Sequence, residues 1–104
     1  MMNEKDALKY AQSIWGAGQW NAKVKKVGRK YRVGRHMTKC SWILGEGTSW
    51  EEAFRAYWID ILDYRRRVYA NNPAAARGFL TAKEYHESNA KIQKALDANE
   101  LPVV

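Results

Sequence analysis

The amino-acid sequence predicts an α+β fold: an N-terminal helix, a three-stranded antiparallel sheet, a long helix packed on that sheet, and a helical C-terminus. Three observations lead there. Apolar residues recur at helical spacing near the start, across 49–70 and again across 82–98. Between the first two stretches, strand-forming residues alternate on either side of Gly28-Arg29. A short apolar run, "CSWIL", then precedes the second helical pattern.

Asn3 is a natural N-cap with Asp6 three residues later, and Ala7, Leu8, Ala11, Ile14 and Trp15 follow on one stripe, so the first helix spans about 4–15. Gly16 and Gly18 stop it. Residues 20–37 form a hairpin, because Gly28-Arg29 suits a two-residue turn whose first position needs positive φ. That turn sets the register: Trp20 opposes Met37, Ala22 opposes Arg35, Val24 opposes Val33 and Lys26 opposes Tyr31 on a mostly apolar inner face. The stems of Lys26 and Arg35 can cover the edges of that face. On the outer face Lys25 opposes Arg32 and Val27 opposes Lys30, with Lys23 and His36 nearby. Residues 40–44 supply the third strand, which the glycines of "GEG" end.

Thr48 and Ser49, followed by Glu51 and Glu52, give two overlapping capping boxes for a helix over 49–70. Its broad stripe holds Trp50, Ala53, Phe54, Tyr57, Ile61, Tyr64 and Val68, widened by Trp58, Leu62 and Tyr69. Pro73 breaks it, and Asn72 caps a short helical turn ending by Gly78. Thr81 with Glu84 caps the last helix, about 82–98, whose narrow stripe is Tyr85, Asn89, Ile92 and Leu96. "NELPVV" is a tail. The 104 residues read as one domain, a core over 1–72 with a helical extension over 73–104.

A hydrophobic content of 46 % with five Trp and six Tyr is that of a globular chain. No run approaches a membrane span, and the acids near the start argue against a secretory signal. A single cysteine, Cys40, excludes an internal disulfide or a cysteine-based zinc cluster, so a cytoplasmic setting is expected and Cys40 reads as a buried, inert thiol. His36 and His86 have no ligand partner at metal-binding spacing. Asp60 and Asp63 pair with Arg66 and Arg67 by helical spacing, and "GEGTS" lacks the lysine of a phosphate loop. Neither an enzyme nor a cofactor or metal site is expected.

Charge is the informative feature. The net charge is +7, yet residues 1–45 hold ten Lys/Arg against two acids while the remainder holds eight against nine. No acid lies between Asp6 and Glu46. Like charges directly opposed across strands destabilise a sheet, and an anionic backbone would relieve them. A two-stranded ribbon also fits a DNA major groove. The expected nucleic-acid-binding residues are Lys23, Lys25, Arg29, Lys30, Arg32 and Arg35, with duplex DNA favoured over RNA. The argument depends on those cations not being neutralised by carboxylates from the later half of the chain. The plainer reading is a charged surface that keeps the protein soluble.

"WNAKVKKVGRKYRVGR" followed by "SWILGEGTSWEEAFRAY" resembles the three-stranded-sheet-plus-helix DNA-binding module at the N-terminus of phage-type tyrosine recombinases, related to plant AP2 domains. The likeness covers about residues 20–58 and includes "TSWEEA" at Thr48–Ala53, against that family's "T-x-x-E-A" helix start. It implies major-groove binding by the outer sheet face through Lys23, Lys25, Lys30 and Arg32. The extra leading helix departs from the pattern, and the chain has no room for a recombinase catalytic domain. The element order is also similar to a double-stranded-RNA-binding domain, but the acidic Ser49–Phe54 stretch lacks that family's lysine-rich helix start. Small aromatic-rich chains without catalytic motifs are also similar to phage accessory proteins. That likeness leaves open a second class: an anti-CRISPR-like inhibitor that binds a host protein or defence complex, either by occupying its nucleic-acid site or as a protein ligand.

Overall fold

The computed structural model describes residues 2–18, 21–36, 41–71 and 82–103. The elements run α1 (Glu4–Trp15), β1 (Ala22–Val27), β2 (Lys30–Arg35), β3 (Ile43–Gly47), α2 (Trp50–Asn71) and α3 (Ala82–Asp97). This is the expected α+β order. The expected Trp20–Met37 pair, Cys40, the turn after Pro73 and the Thr81 cap lie outside the described residues. The chain divides into two compact units, residues 1–57 and 58–103, with the division falling inside α2.

In the first unit, α1 begins with a full capping box: the Asp6 amide donates to Asn3 Oδ1 at 2.8 Å, and the Asn3 amide donates back to the Asp6 carboxylate. Gly16 ends the helix with φ +98° and returns its N–H to the Gln12 carbonyl. Ala7 and Ala11 are fully buried, small enough to let α1 lie close along β1 and reach β2. Leu8, expected on the same stripe, is exposed instead.

The sheet is antiparallel in the order β1-β2-β3. Gly28 holds φ +63° in the hairpin turn, and the register pairs Ala22 with Arg35, Val24 with Val33, Lys25 with Arg32 and Val27 with Lys30, as the turn chemistry predicts. Val33 is fully buried at the centre of the inner face.

β3 differs from expectation. It starts at Ile43 and runs through Gly47, so "GEG" lies within the strand instead of ending it. The reason is the approach of α2. A Cβ on Gly45 would overlap the Ala53 carbonyl, and one on Gly47 would sit 2.8 Å from the Ala53 nitrogen. Inner-face glycines therefore let the first turn of α2 press directly onto the strand backbone. Opposite the Val33/Gly34 step the pairing slips by one residue, with Leu44 the extra residue on β3.

Ser49 caps α2 by accepting from the Glu52 amide at 3.1 Å, while the Thr48 hydroxyl bonds the Glu52 carboxylate. Glu51 does something else. Its carboxylate accepts from the Met2 amide at 2.5 Å, a bond that pulls its pKa below the ordinary value and ties the start of the chain to the start of α2. Phe54, fully buried, meets Tyr10 edge-on at 4.6 Å and stacks with Trp15 at 6.2 Å. Trp50 takes Tyr31 edge-on at 4.7 Å. These aromatic contacts form the core on the inner side of the sheet.

In the second unit, Trp58 and Leu62 on α2 are buried, as are Tyr85, Asn89, Ile92 and Leu96 on α3, the expected stripe. Tyr64, expected on the buried face of α2, is 59 % exposed. Its neighbour Arg65 turns inward, with Nη1 donating to Ser88 Oγ at 3.2 Å and Asn89 Oδ1 at 3.4 Å. Asn89 thus meets its buried polar requirement from the adjoining helix. After α3, Asn99 adopts φ +58°, the Glu100 amide reaches back to the Ala95 carbonyl and the Asn99 amide to that of Leu96, a Schellman closure followed by buried Pro102.

Gly45→Ala is expected to cost about 1–3 kcal/mol or more, because the methyl meets helix backbone that cannot rotate away. Gly28→Asn should change stability by no more than about 1 kcal/mol, since nothing stands within 4 Å of that site and Asn tolerates positive φ. Urea denaturation of the two variants checks the pair.

Candidate nucleic-acid interface

The outer face follows from the register. Residues paired across antiparallel strands share a side, so Lys25, Arg32 and Glu46 form one row across all three strands. Lys23 opposes Gly34 one step toward the strand ends, and Lys30 opposes Val27 one step toward the hairpin turn. The hairpin thus gathers Lys23, Lys25, Lys30 and Arg32 on one surface, with Arg29 in the turn. Arg35 is different. It pairs with Ala22 on the opposite side of the sheet, exposed at the strand end, so it does not join the other five.

Glu46 is the residue that sequence reasoning missed. Its Oε2 accepts from Arg32 Nε at 2.8 Å, and its Oε1 lies 3.4 Å from Lys30 Nζ. The Arg32 hydrogen bond, foremost, together with the Lys30 contact and the charge of both cations, holds the Glu46 carboxyl below its ordinary value. Two of the predicted cations therefore share one carboxylate from the later part of the chain, which offsets one of their two charges, and the repulsion expected between Lys25 and Arg32 is partly offset by the anion on the other side of Arg32. The charge argument for an anionic partner is weakened accordingly. It rests on what remains: among the described residues, Lys23, Lys25 and Arg29 meet no carboxylate. The missed signal was the spacing. Reading "ILGEG" as strand places Glu46 between two inner-face glycines, where alternation points it outward.

Aromatic rings hold two further lysines. Lys23 Nζ stands 4.7 Å from the centroid of Trp42, and Lys26 Nζ 5.1 Å from that of Tyr31. Trp42 is half-buried beside Lys23. Gly34 makes room there, for a Cβ would overlap the Trp42 carbonyl.

The second basic cluster divides as well. Arg65 and Arg66 bond across to α3, Arg66 through Gln93 Oε1 at 3.0 Å, and Arg67 pairs with Asp63 at 3.3 Å. Those arginines serve the helix pair. Among the described residues no group of histidine, cysteine or acid side chains could hold a metal ion, and no helix is long and apolar enough to cross a membrane.

No family model matches the chain, and no curated protein and no solved structure matches it significantly.

The Glu46 pairing carries a pH signature. Because its folded pKa is depressed, the stabilisation is full above the unfolded value, near 4.5, and is lost as pH falls through the lower folded value. Thermal melts of the parent and Glu46→Gln should therefore differ at neutral pH and converge at acidic pH. Added salt should narrow the gap as well, since the pair is solvent-exposed.

Proposed function

We propose that the chain is a non-catalytic nucleic-acid-binding protein whose outer sheet face lies against a phosphate backbone, with duplex DNA the favoured ligand. One observation carries the reading: the hairpin register puts Lys23, Lys25, Lys30 and Arg32 on a single face with Arg29 at the turn, and among the described residues of the sheet that face holds one carboxylate. A surface of that kind attracts polyanions at long range and releases condensed counterions on contact. The hairpin is narrow enough for a major groove, which agrees with the resemblance of residues 20–58 to the recombinase and AP2-type module. Lys23, Lys25 and Arg29, without carboxylate partners, are the first contacts. Lys30 and Arg32 contribute to the extent that phosphate competes with Glu46.

The Glu46 pairing favours a second reading. A face of mixed charge with a half-buried tryptophan at one end also suits a protein partner, such as a host or defence component bound by a small phage-type inhibitor. Salt separates the two readings. Duplex binding loses about 0.9 log unit of affinity per log unit of salt for every phosphate neutralised, whereas a packed protein interface is far less sensitive.

Fluorescence anisotropy against duplex DNA, single-stranded DNA and double-stranded RNA at two salt concentrations tests the proposal. Lys25→Glu combined with Arg32→Glu should weaken duplex binding at least about 100-fold at low salt. Some loss of thermal stability is expected, because the change at Arg32 also removes the Glu46 ion pair and sets like charges across the strands, so circular dichroism must show the double variant folded at the assay temperature. Unchanged duplex affinity in that double variant would overturn the reading.

A further inference from the structure

Among the described residues Glu46 is the acid on a face that gathers Lys23, Lys25, Lys30 and Arg32, and the fold holds it there. Gly45 and Gly47 on either side are pressed against the backbone of Glu52 and Ala53, so β3 cannot shift or twist to turn the Glu46 side chain away. The two oxygens of its carboxylate divide between two donors, Oε2 to Arg32 Nε at 2.8 Å and Oε1 to Lys30 Nζ at 3.4 Å. A phosphodiester presents the same edge: two non-bridging oxygens sharing one negative charge. The carboxylate thus occupies, from within the chain, the seat that a backbone phosphate would take between Lys30 and Arg32.

We propose that Glu46 is the affinity-setting residue of this face, an internal competitor that a nucleic-acid phosphate must displace before Lys30 and Arg32 can bind it; the inference rests on the nucleic-acid reading above. The face then has two tiers. Lys23, Lys25 and Arg29 engage a backbone at no cost in broken pairs. Lys30 and Arg32 engage only by exchanging one anion for another, which is nearly neutral in Coulomb energy and leaves a displaced carboxylate close to the incoming phosphate. Glu46 therefore keeps non-specific binding weak, and only a ligand already placed by the first tier can supply a phosphate at a high enough local concentration to complete the exchange.

The test compares the parent, Glu46→Gln and Asp60→Asn by duplex titration across a salt series. Asp60 is an exposed acid of α2 that meets no cation among the described residues, so its replacement makes the same change in net charge at a residue outside the sheet. Glu46→Gln is expected to bind about 10-fold tighter or more at low salt, with a salt slope steeper by about 0.9 as the single seat between Lys30 and Arg32 takes one further phosphate. Asp60→Asn should gain only a small part of that affinity, with no change in slope. Circular dichroism of each variant confirms the fold. Equal slopes for the parent and Glu46→Gln, or equal gains for Glu46→Gln and Asp60→Asn, would overturn the role of Glu46 while leaving the binding reading intact. If neither the parent nor Glu46→Gln bound any duplex at the lowest salt, the nucleic-acid reading would fall, and this inference with it.

Discussion

The contact between the first turn of α2 and the backbone of β3 governs most of what the first unit does. Two glycines without side chains let a helix and a strand meet main chain to main chain, closer than any pair of packed side chains would allow. That approach sets the height of α2 over the sheet, and so brings Phe54 against Tyr10 and Trp15, and Trp50 against Tyr31. The same contact fixes which way the residue between the glycines must face. Packing on one side of a strand has determined the electrostatics of the other side, because alternation leaves a residue flanked by two inward positions only one direction to point.

The outer face is consequently less simple than a field of lysines. Along its central row a lone cation, a paired cation and an anion follow one another across the three strands. At one end of the face the Lys23 ammonium stands over the Trp42 ring, which restricts that side chain and lowers the entropy lost when it meets a ligand. The arginines of α2 illustrate the contrast. Arg65 and Arg66 spend their donors on α3, where they join the two helices.

Much of this was legible in the sequence, for identifiable reasons. Gly28 demanded a turn with positive φ, and a two-residue turn leaves one register, so the pairing of Lys25 with Arg32 followed from a single residue. The α3 stripe was equally plain, since Tyr85, Asn89, Ile92 and Leu96 keep strict helical spacing. The third strand was expected, but its extent was not. Glycine ordinarily punctuates strands, and only a close helix, which no local pattern announces, makes it a strand residue here. From that one misplacement came the oversight of Glu46. The exposure of Tyr64 was also hidden, because a helix that changes its packing partner midway need not keep one buried stripe along its length.

The closure after α3 has a consequence of its own. Helix ends usually loosen residue by residue, since each terminal hydrogen bond can open without disturbing the next. Here the backward bonds from Asn99 and Glu100 both depend on one backbone inversion at Asn99, and Pro102 lies buried just beyond them. None of these can be released singly. The last turn of α3 therefore comes undone as one cooperative step, with the burial of Pro102 lost in the same event, so the amides of Asn99 and Glu100 open together with that turn.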